Sequence, residues 1–304
     1  MEIPEYPSLR PIVLTDHGSI RSFQADIKCF SDFDFGSLWS WNYAGTTCIC
    51  QLYGNLVVSM RGYQDGRETL AVNGEFDVDR TARRLLEDRS NGESPARLEL
   101  IPKHFADLLN RESFIIEEDR DNHDYVISVR ALAALEGSGY SKFRSNVKRF
   151  VYAAQLTVIE LNLSDEATKK EILTLFREWC AQKPDDAAVR ITYDHEGIAI
   201  QRCLRDFGDL GVIGYGAILH GKLAGFALLG HVNQDEVIFH FEKINTWMFK
   251  YLSTTFKQRV AQLLAFKNYK VINCEQDLGV EGLRTSKRSL APIEMREKFV
   301  VRLR

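Results

Sequence analysis

Residues 211–278 dictate most of what this chain can fold into. GVIGYGAILH (211–220), KLAGFALLGHV (222–232) and DEVIFHFEKI (235–244) read as strands, separated by turn signals at Gly221–Lys222 and Asn233–Gln234. Connections this short make neighbouring strands antiparallel. WMFKYLSTTFKQRVAQLLAFKN (247–268) follows as a long helix, and YKVINCEQDL (269–278) as another strand. A helical crossover of this kind is right-handed and returns parallel to the strand before it. The segment therefore predicts a mostly antiparallel sheet with one parallel pair.

The remaining sequence repeats this order. Before the segment stand the helical RALAALEGSGYSKFRSNVKRFVYAAQ (130–155), broken at Gly137–Ser138–Gly139, and the strand LTVIELN (156–162). EATKKEILTLFREWCAQK (166–183), capped by Ser164 or Asp165 and stopped at Pro184, and HEGIAIQRCLRDF (195–207) are helices. The first half offers two short helical or irregular stretches, then the strands TTCICQLY (46–53), NLVVSMRGY (55–63) and ETLAVNG (68–74), with a hairpin turn at Gly54–Asn55. A helix at 78–90 ending near Asn91–Gly92, a strand at 96–103, a short helix at 103–112 and a hairpin over 114–129 complete it. The expectation is a mixed α/β fold of two tandem acyltransferase domains of the GNAT plan, each a mostly antiparallel sheet flanked by helices. The predicted domains are residues 1–136 and 137–304.

Composition narrows the function classes. Of 304 residues 45% are hydrophobic and 27% charged, with a net charge of −3, so a polyanion site would have to be a local patch. No signal peptide is read at the start, and the most apolar stretch is interrupted by His220 and Lys222, short of the ~20 clean residues a spanning helix needs. A soluble, cytoplasmic protein is expected. Six scattered cysteines suggest reduced thiols, and seven dispersed histidines lack metal-ligand spacing, so no metal is expected.

The alternation of a strand places His240 and Glu242 on one face of FHFEK, and Asn273, Glu275 and Asp277 on one face of VINCEQDL. The crossover sets these strands together, near the ends where open sheets commonly bind ligands. After Gly279, whose turn needs a positive φ or a close backbone approach, GLRTSKRSL (282–290) reads as a helix with Arg284, Lys287 and Arg288 on one side. The acids and bases form either two walls of a cleft or plain ion pairs tying helix to strand. Lys142, Arg144, Lys148 and Arg149 make a basic stripe without an acid before Glu160. Such a stripe either grips phosphates or is a solvated helix face.

Three blocks carry a family resemblance: HFEKIN (240–245), NCEQDLGVEGLRTSK (273–287) and SGYSKFRSNVKRF (138–150), with FDFGSLWSWN near the start also fitting. They resemble the motifs of the phosphatidylglycerol lysyltransferase C-terminal domain family. Cys274 stands where that pattern has arginine, and Ile244 where it has alanine. The resemblance implies a tandem GNAT fold like that of the Fem peptidoglycan aminoacyltransferases. It also implies transfer of an amino acid from aminoacyl-tRNA, here to a soluble acceptor amine or hydroxyl, with no further cofactor.

On that reading Glu275 or Asp277 holds the substrate ammonium, Lys287 or Arg284 faces the developing oxyanion, and His240 or Glu242 is the base. Asn273, Gly279 and the four stripe cations complete the substrate-binding set. A CoA-dependent N-acyltransferase is the alternative, although EKINTWMFKY lacks the glycines that would cradle a pyrophosphate. A non-catalytic binding module on the same scaffold is the third reading.

Overall fold

The computed structural model describes the chain except residues 1, 24–27, 62–65, 90–95, 184–186 and 247–248. The helix ends expected near Asn91–Gly92 and at Pro184 lie outside the described residues. The chain divides into two compact units, neither of them continuous. The first comprises Met1–Asp124, Gln276–Gly279 and Arg296–Arg304, and the second Tyr125–Glu275 and Val280–Met295. The boundary expected at 136/137 falls inside the second unit.

In the first unit the strands Arg10–Pro11, Cys48–Leu52, Asn55–Arg61 and Glu68–Asn73 form a four-stranded antiparallel sheet in chain order. The first hairpin turns at Tyr53–Gly54, with φ of 51° and 85°, one residue earlier than expected. Two consecutive positive φ values suit the right-handed twist of the flanking strands. Helix Val78–Arg89 buries Val78, Ala82, Leu85 and Leu86, an apolar stripe at helical spacing. A second sheet sets the C-terminal strand Lys298–Leu303 between Leu98–Pro102 and Phe114–Glu118. Val301, Phe105, Phe114 and Leu85 share one core with Val57 and Val72.

In the second unit a seven-stranded sheet runs Glu294–Arg296, Asp124–Ser128, Val271–Asn273, Glu236–Ile244, Lys222–His231, Val212–Leu219, Thr157–Leu161. Glu236–Ile244 and Val271–Asn273 are parallel, joined by helix Leu252–Phe266, and the three strands from Val212 to Ile244 are antiparallel, as the sequence predicts. Leu252, Phe256, Val260 and Leu264 pack the crossover helix onto Val237, Ala227 and Ile272. This burial orients the helix and hence its polar side chains.

Two expectations are corrected. The hairpin over 114–129 does not form: Phe114–Glu118 pairs with Lys298–Leu303, and Asp124–Ser128 pairs with Val271–Asn273. The link between them is a 3-10 turn at Arg120–Asn122 with none of the glycines that favour a tight hairpin turn, so distant partners take both strands. The strand expected over 269–278 stops at Asn273. Glu275 and Leu278 have φ of 56° and 55°, left-handed conformations that take the chain out of the extended pairing here.

Candidate functional site

That early stop rearranges the predicted cleft. Asn273 accepts from the Glu275 amide at 2.8 Å, and the Cys274 amide donates to the Tyr125 carbonyl at 2.8 Å. Together they force the backbone into its left-handed turn at Glu275. The turn directs the Glu275 carboxylate to His240, whose Nδ1 lies 3.5 Å away. His240 is fixed from the other side by Gly230, where a Cβ would stand 2.3 Å from the imidazole Nε2.

A bulge at His240 interrupts the alternation, since Phe239 and Phe241 pair with the adjacent Leu229 and Leu228, and beyond it Glu242 meets the crossover helix. Glu242 Oε2 lies 2.9 Å from Lys257 Nζ, which also donates to Ser253 Oγ at 3.0 Å. From helix Glu281–Arg288 the Lys287 ammonium donates to the carbonyl of Cys274. Burial pushes the Cys274 thiol up to about 12, with Lys287 and Lys257 opposing and Glu242 and Glu275 adding to the rise. Two carboxylates and two ammonium groups therefore converge around one neutral thiol. Burial thus favours the neutral thiol over the thiolate.

Lys257 escaped the sequence reading. The available signal was geometric: a cation in the second turn of a helix that doubles back over its own strand. His240 is the enclosed member of this group. Its side chain is 1% exposed, whereas Glu275 and Glu242 are 19% and 21% exposed, so the carboxylates can meet a substrate and the imidazole is enclosed.

Asp277 leaves the set altogether. It is buried in the first unit, where it accepts from the Gly279 amide at 2.9 Å and faces Arg120 at 3.4 Å. Gly279 has φ of 72°, and a Cβ there would come within 2.8 Å of Asp121 Oδ2, which accounts for glycine at this turn. Arg284 is half-exposed, one turn before Lys287.

The basic stripe divides as well. All four cations lie on helix Ser141–Ala153. Arg144 turns back to the carbonyls of Leu135 and Gly137 and closes the end of helix Val129–Ala134, a structural role in place of the expected anion contact. Arg149 donates to the Tyr251 hydroxyl at 3.2 Å, and Lys142 lines the same hollow, while Lys148 is exposed and not part of its lining.

Replacing Glu275 by glycine tests the strain directly. Relief of the left-handed backbone is expected to raise stability by about 1 kcal/mol. The same change removes the carboxylate, so any transfer activity falls. Urea denaturation and turnover measured on one preparation report both effects, and a variant less stable than the parent contradicts the strain.

The three antiparallel strands, the parallel crossover and the repeated order of elements define a tandem GNAT-like acyltransferase fold. The chain belongs to the phosphatidylglycerol lysyltransferase C-terminal family, which matches residues 35–302. Three solved structures illustrate the likeness. A conserved protein of unknown function from Bacteroides thetaiotaomicron VPI-5482 is 25% identical, with a TM-score of 0.81 over 97% of this chain and 99% of that one. L-PGS from Bacillus licheniformis is 12% identical, with a TM-score of 0.60 over 99% and 94%. FemX is 10% identical, with a TM-score of 0.52 over 96% of each chain. No curated protein sequence matches the chain. Among the described residues no helix is long and apolar enough to cross a membrane.

Proposed function

We propose that this protein transfers an amino acid from aminoacyl-tRNA to an acceptor amine or hydroxyl. The observation that carries this reading is the convergence of Glu242, Glu275, Lys257 and Lys287 at the end of the crossover, in a family of lysyltransferase domains. An aminoacyl ester presents a cationic α-amine beside a carbonyl that becomes an oxyanion. Paired carboxylates and ammonium groups complement those two charges.

In this mechanism Glu275, steered by His240, holds the α-ammonium. The acceptor heteroatom attacks the ester carbonyl while Glu242 takes its proton. Lys287, with Lys257 behind Glu242, faces the oxygen on which charge develops. The carbonyl re-forms, the bond to the ribose oxygen breaks, and that oxygen takes the proton back. Because the ester is already activated, positioning and charge stabilisation suffice.

The test is incubation with radiolabelled aminoacyl-tRNAs and cell extract, with and without ribonuclease. Label is expected to move to an acceptor only when the RNA is intact. Transfer indifferent to ribonuclease contradicts the RNA donor, and transfer that needs acetyl-CoA supports the CoA alternative.

A further inference from the structure

Two ammonium groups share one indole in the second unit. Trp179 lies in the last turn of helix Glu166–Cys180, and Tyr193 of helix Ala187–Arg205 meets its ring edge-on at 5.4 Å. Beyond the helix the chain turns back. The Gln182 amide donates to the Trp179 carbonyl at 3.2 Å and the Lys183 amide to the Cys180 carbonyl at 2.9 Å. That turn sets the Lys183 ammonium 4.0 Å from the indole centroid. Lys243, from strand Glu236–Ile244, brings its own ammonium to 4.6 Å from the same centroid. Each contact is a favourable cation–π interaction, but the two charges repel.

Only Lys243 has a carboxylate to offset this. Glu196 Oε1 lies 2.6 Å from Lys243 Nζ, whereas Lys183 has no carboxylate partner among the described residues. The thiol and phenol beside them supply no fixed countercharge. Burial, with the Glu196 charge adding to it, pushes the Cys180 thiol up to about 11, and burial also raises the Tyr193 hydroxyl. Asp194 is exposed and acts on Cys180. Burial, and after it the Lys243 charge, hold the Lys183 amine below the usual lysine range, against a smaller opposing effect of Cys180. Lys183 is nevertheless half-buried rather than sealed, so a small reagent reaches it. A lysine in such surroundings spends more time as the free amine, which is the nucleophilic form.

We infer that Lys183 is a modification site whose amine takes an acyl group from an acyl phosphate. The amine nitrogen attacks the acyl carbon and an amide bond forms. The bond from that carbon to the phosphate oxygen breaks, the oxygen keeps the electron pair, and the proton lost by the amine passes to the departing phosphate. The donor is an anion, and two ammonium groups against one carboxylate favour its approach. Acylation removes one of the two like charges on the indole and leaves Lys243 with Glu196. No residue of the proposed transfer site takes part, and the modification is measured without any aminoacyl-tRNA.

Acetyl phosphate incubated with the full chain at pH 8, with acetylated lysines mapped by mass spectrometry over time, tests this. Lys183 is expected to gain acetyl about threefold or more faster than Lys222, an exposed lysine of the same unit. Lys243→Met removes the neighbouring charge and frees Glu196 for Lys183, so acetylation at 183 is expected to slow. Glu196→Gln removes the carboxylate of the cluster and is expected to speed it. Circular dichroism checks that each variant is folded, and a general loosening of the packing would speed both. Should Lys243→Met fail to fold, the parent protein still decides: its rate at Lys183 is expected to level off below the ordinary lysine value of about 10.4. The proposal is overturned if Lys183 reacts no faster than Lys222, if the folded variants move the rate in the same direction or not at all, or if the rate at Lys183 rises through the ordinary lysine range.

Discussion

Replacing Lys298 with methionine is expected to lower folding stability by about 3–5 kcal/mol. Lys298 lies on the C-terminal strand with its side chain fully enclosed. Its ammonium reaches Asp124 Oδ1 at 2.7 Å and Ser31 Oγ at 3.1 Å, and it also meets Asp32. Ser31 donates its hydroxyl and amide to the two Asp124 oxygens at 2.6 and 2.8 Å. Methionine fills similar space but removes the ammonium that both carboxylates meet.

The pH dependence follows from the same cluster. Burial alone would raise the Asp124 carboxyl, but the Lys298 charge and hydrogen bonds from Lys298 and Ser31 outweigh it and hold the group low. Its contribution is complete above the unfolded carboxylate range, near pH 4, and is lost as pH falls through the lower folded value. Burial likewise favours neutral Lys298, but the Asp124 and Asp32 charges overcome it and raise the group. That contribution is complete below about pH 10 and is lost as pH rises through the folded value. In the methionine variant the deficit is expected to shrink in acid as the stranded carboxylates protonate. Urea titrations of both proteins across pH measure it, and equal midpoints at neutral pH would show that the cluster contributes nothing.

On the proposed mechanism Lys287→Met is expected to lower kcat about a hundredfold while changing KM little, because there the ammonium would act mainly when charge develops on the ester oxygen. Losing its bond to the Cys274 carbonyl costs only about 1 kcal/mol of stability, so the variant stays folded. Lys287→Arg is expected to recover part of the loss. The assignment fails if the folded methionine variant turns over aminoacyl-tRNA as fast as the parent, and a rise in KM alone would make Lys287 a binding residue only.

Much of this architecture was legible before any coordinates. The strands from Val212 to Ile244 and the parallel return to Val271 follow from alternation and connection length alone. The shared face expected of His240 and Glu242 did not allow for the bulge at His240, where two residues oppose one on the neighbouring strand. Asp277 was misplaced because a period-two argument holds only while the backbone stays extended, and at Glu275 it does not. The 114–129 segment was misread for a related reason. Its two strands are real, but each finds its partner more than a hundred residues away.

The amino-acid order by itself determined which segments become helix or strand, which side chains share a face, and the family motifs, since these depend on local periodicity and residue type. Only the tertiary structure decided that Asp277 joins Arg120, that Lys257 meets Glu242, and that Lys142 and Arg149 share a hollow with Lys250. Those outcomes depend on which distant surfaces bury one another and on where a few hydrogen bonds turn the chain. Neither is written in the spacing of neighbouring residues.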